Sequence, residues 1–427
     1  MATYYVSANG SNSNDGLSES APWLTVAKFN STATTGDRLL LRRGDTFLGQ
    51  WVPKASQSIG EYGSNSVHAG LDGNDAVHTV DLAGVAGVTI EDVDLRNKVG
   101  SSTSKRILSI GTSCSGLTVR GVNFLGGVSA VLSDSGTTGS GNVFRGCRFE
   151  RTWQDGVSLL GALAFLFDEC TWWRTGADNT SAGAPASDSD PISAHETVTF
   201  QVVGSRFYGC ARGAGLSVQT GTCSFDRCVI ETTDETGSAG NYVFGIASTG
   251  RIDVTNCRII LGGTRAQYVF VCDGGGALNA YNNTIASANT NAGTIGLLGI
   301  AGTLTAKNNI IRIPTGTHAW DVTATAIVPD YNNFYPDGAA KFALLFDGVS
   351  APLVTGDFAG WQSAGKDAHG IVTDPLLYNG TTPTTGTDLR LLATSPCRSA
   401  GVGGLVTVDC RNRTRITNEI GAWSKER

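Results

Sequence analysis

Hydrophobic residues recur along the chain in an eight-residue pattern, with bulky residues mostly at positions 1 and 8 and a small or polar residue near position 5. Within these octads apolar and polar residues mostly alternate, and β-branched and aromatic residues are common, which predicts short β-strands. Successive octads begin 23 to 35 residues apart, and such a period indicates a solenoid. The ten octads are Val88–Leu95, Leu117–Phe124, Asn142–Phe149, Phe165–Trp172, Phe200–Phe207, Cys223–Ile230, Ile252–Ile259, Leu278–Ile285, Leu304–Ile311 and Val328–Tyr335.

The links between octads identify the kind of solenoid. They are rich in Gly, Ser, Thr and Asp, they show no helical period, and the spaced Leu and Asn of leucine-rich repeats are missing. The sequence therefore predicts an all-β parallel β-helix of about ten or more coils, each with three short strands and three turns. Because the end coils of such a solenoid would expose open strand edges, we expect a cap at both ends.

Position 6 of the octads forms a column of its own. Equivalent residues of successive coils lie about 4.8 Å apart, so small side chains can stack there and Asn side chains can form a hydrogen-bonded ladder. We expect buried thiols rather than disulfides in this column, because Cys packs as a small hydrophobe; Cys397 and Cys410, near the C-terminus, could pair. The column runs through Cys147, Cys170, Ser205, Cys228 and Cys257 into Asn283, Asn309 and Asn333.

These features together resemble the right-handed parallel β-helix superfamily, which includes pectate-lyase-like enzymes and phage tailspikes. The opening segments Tyr4–Gly16, Pro22–Val26 and Gly36–Phe47 are similar to the strand and helix that cap the first coil in that family. The closing segments Asp374–Leu377 and Asp388–Cys397, with Glu419–Trp423, resemble a cover for the last coil. The resemblance implies a cap and first coil over residues 1–60, the β-helix over 61–335 and a C-terminal coil, excursion and cap over 336–427. Residues 336–373 depart from the repeat and are expected to form a loop excursion or an oligomer contact.

Composition narrows the function classes. Hydrophobic residues make up 41% of the 427 residues and charged residues only 16%, which excludes a disordered chain. The net charge of −6 makes nucleic acid a poor partner, and no apolar run is long enough for membrane insertion. The N-terminal residues lack the charged and apolar regions of a secretory signal. We therefore expect either a mature chain whose signal was removed or a protein assembled in the cytosol.

The widest octad spacing, 35 residues between Phe165 and Phe200, contains a long loop over Arg174–Asp190. Long loops on a rigid scaffold commonly carry function. Alignment of the strands beside it predicts that Val157, Ile192 and Leu216 point inward. The outward positions are then occupied by Ser158, Ser193, Ser217, Leu160, His195 and Gln219, and Asp155 stacks on Asp190 at the strand start.

Asp155, Asp190 and His195 are the predicted catalytic residues. Two carboxylates about one coil apart could share a proton or a cation, or divide the acid and nucleophile roles on a sugar. A neighbouring His can act as a general acid or base. The alternative is structural, because Asp often begins strands by accepting backbone N–H bonds in turns.

Aromatic and charged residues around this face are the predicted sugar-binding residues. Trp173 and Tyr208 are expected to point outward, whereas Trp172 belongs to the core, and arginines in this region suit an acidic polysaccharide. The predicted substrate-binding residues are Trp153, Trp173, Arg174, Asp188, Tyr208, Arg212 and Gln219. Lyases of the superfamily combine a Lys or Arg base with calcium. The absence of Lys here weakens a pectate-lyase interpretation, so we expect no cofactor, with calcium as the one open alternative.

Two functional classes follow. The first is a virion tail spike, expected to be a homotrimer in contact with other tail proteins, which binds host surface polysaccharide and could depolymerise it. The second is a secreted, extracellular polysaccharide lyase or glycoside hydrolase. A purely structural role is a third alternative.

Overall fold

The protein is described by a computed structural model, and its secondary structure is almost entirely β. Two compact units are present, Met1–Phe200 and Gln201–Arg427. Only the backbone is described for residues 214–218, 241, 267, 295–299, 313, 318–323, 326, 336 and 341–346. The described residues are 1–98, 105–175, 190–210, 214–218, 221–232, 241–246, 249–262, 267–272, 274–287, 295–299, 302–313, 318–323, 326–336, 341–346, 358–363, 365–379, 389–415 and 418–423.

Three parallel sheets, here called A, B and C, make up the first unit. Sheet A has the strand order β1-β2-β4-β7-β10-β13-β16, sheet B the order β3-β5-β8-β11-β14-β17 and sheet C the order β6-β9-β12-β15-β18. Each strand therefore pairs with the equivalent strand of the next coil, as a parallel β-helix requires. The strands are β1 (Thr3–Val6), β2 (Arg38–Arg42), β3 (Thr46–Leu48), β4 (Ser58–Tyr62), β5 (Gly70–Asp72), β6 (Val80–Asp81), β7 (Thr89–Glu91), β8 (Asp94–Asn97), β9 (Leu108–Ile110), β10 (Thr118–Arg120), β11 (Asn123–Gly126), β12 (Val131–Ser133), β13 (Thr138–Arg145), β14 (Arg148–Glu150), β15 (Val157–Leu159), β16 (Ala162–Asp168), β17 (Thr171–Trp173) and β18 (Ile192–Glu196).

The second unit repeats the arrangement, and β19 (Thr199–Val203) contains the boundary between the units. Sheet A here has the order β22-β25-β28-β31-β34, sheet B the order β20-β23-β26-β29-β32-β35 and sheet C the order β21-β24-β27-β30-β33-β36. The expected all-β parallel β-helix is confirmed. The strands are β20 (Arg206–Cys210), β21 (Ala214–Val218), β22 (Thr222–Asp226), β23 (Val229–Thr232), β24 (Asn241–Ile246), β25 (Arg251–Thr255), β26 (Arg258–Leu261), β27 (Gln267–Cys272), β28 (Ala277–Tyr281), β29 (Thr284–Ser287), β30 (Ile295–Gly299), β31 (Thr303–Lys307), β32 (Ile310–Ile313), β33 (His318–Thr323), β34 (Ala326–Asp330), β35 (Asn333–Pro336) and β36 (Lys341–Phe346).

The short helices lie outside the sheets. The helix α1 (Val26–Thr32) begins after Thr25, whose hydroxyl accepts the backbone N–H of Lys28, and it buries Phe29 close to the first strands. A second helix, α2 (Phe358–Ser363), buries Trp361, and a 3-10 turn, η1 (Pro396–Arg398), buries Cys397. None of the helices in the described ranges is long and apolar enough to cross a bilayer.

Each octad is a sheet A strand, a corner residue and a sheet B strand. The corner residue at position 5 has a positive φ of 53° to 61° in the first nine octads, from Asp92 to Asn308. This left-handed conformation favours Gly, Asn and Asp, which explains the turn residue in the pattern. Inward residues of adjacent coils then stack: the Phe124 and Phe149 rings are 5.0 Å apart, and the Phe149 and Trp172 rings 4.9 Å apart. Trp172 is fully buried, as predicted.

The tenth octad was predicted one residue too late. The left-handed corner is Tyr331, and the register pairs Leu304 with Ile327 and Ile311 with Phe334. The correct octad is therefore Ile327–Phe334, and Asn332 rather than Asn333 occupies position 6. The sequence is ambiguous here because both residues are Asn.

The Cys and Asn residues of the position 6 column share one hydrogen-bonding pattern in both units. Each of these side chains donates to the position 3 carbonyl of the preceding coil, whereas the Ser205 hydroxyl donates to the Val203 carbonyl of its own coil. The Asn members also bond one another, with Asn283 Nδ2 3.0 Å from Asn309 Oδ1 and Asn309 Nδ2 3.0 Å from Asn332 Oδ1. The predicted ladder is thus confirmed through Asn283 and Asn309 and corrected at its third member. The donor and acceptor pairs are Cys147–Val119, Cys170–Phe144, Cys228–Val202, Cys257–Phe225, Asn283–Val254, Asn309–Ala280 and Asn332–Ala306.

A buried carboxylate ends the ladder. Both oxygens of Asp367 accept from Asn332, one from its backbone N–H at 3.1 Å and one from Nδ2 at 3.0 Å. Burial raises the pKa of Asp367 to about 7, although the two hydrogen bonds act in the opposite direction. The segment that contains Asp367 therefore closes the last rung of this column.

The C-terminal residues differ from the expected cover of the last coil. They run beside the corners of several coils: Asn282 Nδ2 donates to the Glu419 carbonyl at 3.0 Å, and Asn308 Nδ2 donates to the Val402 carbonyl at 2.8 Å. The corner Asn residues therefore bind this segment while the adjacent Asn residues form the ladder. The region 336–373 is also not wholly an excursion, because β36 pairs with β33 and continues sheet C.

All ten cysteines lie within the described ranges, and each is a buried thiol rather than half of a disulfide. The prediction for the column is therefore confirmed. The Cys397–Cys410 pair does not form: Cys397 packs with Ile310 and Ile420, whereas Cys410 packs with Ala422 and Trp423.

Candidate functional site

The candidate site lies where the chain leaves sheet B and enters sheet C in the coils of β15 and β18. Gly156 begins this entry, and a Cβ on it would lie 2.7 Å from the Pro191 carbonyl oxygen and 2.9 Å from Trp172 Cδ1. Only glycine fits such a close approach. Gly156 therefore lets the two coils pack closely beside Asp155.

Asp155 and Asp190 stack on adjacent coils, as the alignment predicted. The register pairs Val157 with Ile192, and the backbone N–H of Asp190 donates to Asp155 Oδ1 at 2.9 Å. The backbone N–H of Gly156 in turn donates to the Asp190 carbonyl at 3.0 Å. Asp155 thus also has the structural role of accepting a backbone N–H, and Asp190 is only 7% exposed, so it is less outward than predicted.

His195 lies further along the same strand and bonds to a hydroxyl. Its Nε2 is 2.8 Å from Ser193 Oγ, and Ser193 is buried although its position was predicted to face outward. Ser158 is buried as well. Burial lowers the pKa of His195, and the neighbouring Glu196 opposes that effect. The imidazole is therefore neutral at pH 7 and able to accept a proton.

Glu196 was missed by the sequence reasoning. It has a φ of 63°, and its carboxylate accepts from Ser135 Oγ at 2.5 Å and from the backbone N–H of Gly136 at 3.3 Å. These hydrogen bonds, the Ser135 one foremost, lower the pKa of Glu196. The residue thus places a fixed negative charge next to His195. An i, i+2 Ser–His pair followed by Glu was the available signal in the sequence.

Trp173 lies at the end of β17 among three guanidinium groups. The guanidinium carbons of Arg148, Arg151 and Arg174 are 4.9, 5.3 and 5.9 Å from its ring centroid. Arg148 also forms an ion pair with Glu150 at 2.8 Å. We call Trp173, Arg148, Arg151 and Arg174 the Trp173 patch. Trp173 is partly exposed, as expected, and the patch combines an aromatic ring with concentrated positive charge.

The remaining predicted binding residues divide into three groups. Trp153 is only 3% exposed, so its indole belongs to the core and cannot stack on a ligand, which corrects the expectation for this residue. Tyr208, in the second unit, is partly buried, and its hydroxyl lies 3.1 Å from Arg206 Nη1. Asp188, Arg212 and Gln219 lie outside the described residues, as do the side chain of Ser217 and most of the Arg174–Asp190 loop.

No cluster that could hold a metal occurs in the part of the chain that the structure describes, where no three His, Cys, Asp or Glu side chains converge. Calcium takes six to eight oxygen ligands, so Asp155 and Asp190 alone are too few. The described donor set does not fit a calcium site.

Comparison with known proteins shows similarity in fold. No protein-family model matches the chain, and no curated protein has a similar sequence. Pectate lyase Pel9A superposes with a TM-score of 0.53 at 16% identity, over 100% of this chain and 97% of its own. XylC in complex with xylose gives 0.54 at 9% identity over 99% and 98%, and a rhamnogalacturonan lyase gives 0.51 at 14% identity over 78% and 87%. The chain therefore has the parallel β-helix fold of pectate-lyase-like proteins.

Proposed function

We propose that this protein binds an acidic polysaccharide and cleaves it with Asp155, Asp190 and His195. The observation that carries the proposal is the stacking of Asp155 and Asp190 on adjacent coils. Asp155 follows closely in sequence after β14, which contributes Arg148 to the Trp173 patch, and Asp190 follows β17, which contributes Trp173, after the long intervening loop. The solved structures named above as pectate lyase and rhamnogalacturonan lyase share this fold, which supports a polysaccharide as substrate.

The two carboxylates suit different roles. Equivalent residues of adjacent coils lie about 4.8 Å apart, close to the carboxyl separation of about 5–5.5 Å in retaining glycosidases. The Asp190 N–H donates to the Asp155 carboxylate, and Asp190 is buried whereas Asp155 is partly exposed. Asp190 then protonates the leaving oxygen while Asp155 attacks the sugar carbon. Water next displaces Asp155 from that carbon, neutral His195 takes the proton that the water loses, and this proton returns to Asp190.

The Trp173 patch supplies binding. Guanidinium groups bind carboxylates in bidentate fashion, and three of them surround one ring here. We also propose Asp188 as a binding residue in the first unit, and Tyr208, Arg212 and Gln219 as binding residues in the second unit. We propose that cleavage needs no cofactor, so that activity should survive EDTA; loss of activity in EDTA, with recovery in calcium, would assign the carboxylates to a metal instead.

A virion tail spike is the setting we propose, with an extracellular enzyme as the second candidate. The spike would be a homotrimer attached to other tail proteins. Sedimentation velocity at micromolar concentration and detection of the chain in purified particles separate the two. A monomer that is absent from particles would contradict the spike and favour the secreted enzyme.

The activity itself is tested by incubating the protein with a panel of acidic and neutral polysaccharides and measuring chain length by size-exclusion chromatography. We expect shortening of an acidic polymer and new saturated reducing ends. Unsaturated products would show a lyase and refute the assigned acid and nucleophile roles. Failure to shorten or bind any acidic polymer would refute the proposed function.

A further inference from the structure

A cleft in the C-terminal part of the second unit has the composition of an anion-binding site. Its volume is about 330 Å³, at the lower end of the range for ligand pockets. Three arginines line it, Arg390, Arg398 and Arg411, together with Tyr378 and Trp423. We infer that this cleft binds one acidic sugar unit through its anionic group.

Arg411 is held in a fixed orientation. Its Nε and Nη2 both lie 3.2 Å from Asp409 Oδ2, and Asp409 Oδ1 accepts the backbone N–H of Arg411 and of Arg413 at 2.9 Å. The Asp409 side chain is 0% exposed and that of Arg411 19%. The guanidinium also lies 4.8 Å from the Trp423 ring centroid. A guanidinium positioned in this way loses little freedom when it binds a ligand.

Arg390 and Tyr378 form another part of the lining. The Arg390 guanidinium is 4.6 Å from the Tyr378 ring, which is 62% exposed, and the Tyr378 N–H donates to the Arg390 carbonyl at 2.8 Å. The neighbouring Leu377 and Leu389 are buried against Ile260 of β26 and Ala286 of β29. This side of the cleft is therefore anchored on the solenoid.

Arg398 ends the turn η1, which is fixed from within. Ser395 caps the turn by accepting the Cys397 N–H at 3.2 Å, and Cys397 is completely buried. All three arginines thus project from anchored segments. A site on such rigid elements is pre-organised for its ligand.

The lining determines the class of ligand. Among the described lining residues three carry a positive charge and none is a carboxylate, and Asp409 lies buried behind Arg411. Guanidinium groups bind carboxylate, sulfate and phosphate oxygens, and the aromatic and leucine side chains offer apolar surface to a ring. The identification of that ring as an acidic sugar rests on the proposed function, whereas the anion site does not.

Isothermal titration calorimetry of the Asp190→Asn chain, which removes cleavage, tests the inference with trigalacturonate, its fully methyl-esterified form and inorganic sulfate. Arg398→Gln is the test variant, and Arg413→Gln is the matched control, because Arg413 is exposed and does not line the cleft. We expect Arg398→Gln to lower the affinity of one class of trigalacturonate sites at least tenfold. Arg413→Gln should change that affinity less than twofold, and the methyl ester should not bind to this class of sites.

Equal effects of the two substitutions, or equal binding of the ester, would overturn the site. Sulfate binding as tight as that of trigalacturonate would overturn the sugar assignment and leave a simple oxyanion site. Binding is measured without cleavage, so the cleft and the proposed activity are tested separately. Cleavage by the wild type without binding in the cleft refutes only the cleft. Binding in the cleft without cleavage by the wild type refutes only the catalytic roles.

Discussion

Asn309→Ala tests how much the buried asparagine ladder stabilises the second unit. Asn309 is 1% exposed, and its Oδ1 accepts from the backbone N–H and from Nδ2 of Asn283, each at 3.0 Å. Its Nδ2 donates to the Ala280 carbonyl at 2.9 Å and to Asn332 Oδ1 at 3.0 Å. Alanine leaves both Asn283 donors without this acceptor. A buried group that loses its partner costs about 1–3 kcal/mol, so two donors cost about 2–6 kcal/mol in unfolding free energy.

Cys228→Ala is the matched control, because it truncates a fully buried side chain at the same octad position in the same unit. Its thiol makes only weak bonds, to the Val202 and Asp226 carbonyls at 3.5 Å. Cys228→Ala therefore mainly loses packing, which lowers the unfolding free energy by about 1 kcal/mol. Urea unfolding followed by circular dichroism gives the total effect. Hydrogen exchange of the backbone amides of Leu278–Ile285 gives the local effect on stability. This second measurement is needed because repeat arrays need not unfold in a two-state transition.

The expected result is that Asn309→Ala lowers the unfolding free energy by several times more than Cys228→Ala and accelerates exchange in the adjacent coils. If the two substitutions cost the same, the ladder contributes packing only, and the reasoning about buried donors is wrong.

Two further predictions concern titration. Burial raises the pKa of Asp367 from 3.8 to about 7, so between these pH values the folded state keeps a proton that the unfolded state releases. The free energy of unfolding should therefore fall as pH rises from 3.8 to 7. Asp367→Asn should reduce that slope in urea unfolding measured across pH, where Asp330 and His369 are the nearby titratable groups. An unchanged slope in the variant would contradict this. Glu196 opposes the lowering of the His195 pKa, so Glu196→Gln should lower that pKa further in an NMR titration of the imidazole, whereas a rise would show that the Glu196 charge does not act on His195.

The sequence predicts what is local and repeated. The alternation and the left-handed corner recur in each octad, so the coils and the inward stack of Phe149 and Trp172 follow from the pattern. The register of the last octad does not follow from the pattern, because Asn332 and Asn333 satisfy it equally.

The repeat pattern does not predict burial outside the octads or contacts between residues that are distant in the sequence. Trp153 sits in a corner outside the octads, where no periodicity indicates whether the ring faces in or out. The C-terminal cleft depends on the packing of Leu377 and Leu389 against Ile260 and Ala286, which are far away in the sequence. The stacking of Asp155 on Asp190 was predictable because both precede aligned strands. The partners of Asp155 and His195, namely the Asp190 N–H and the Ser193 hydroxyl, required coordinates.

The catalytic roles of Asp155 and Asp190 are tested most directly by comparing cleavage with binding for Asp190→Asn. The wild type and the variant are incubated with the acidic polysaccharide that the wild type shortens, and new reducing ends and affinity for the intact polymer are measured in parallel. Asp168→Asn is the control, since Asp168 pairs with Arg145 on sheet A, away from the aligned sheet C strands. We expect Asp190→Asn to lose cleavage at least a hundredfold while affinity and folding stay near the wild type, and Asp168→Asn to keep its activity. Full cleavage by Asp190→Asn would contradict the catalytic assignment and leave Asp155 and Asp190 as strand-capping residues.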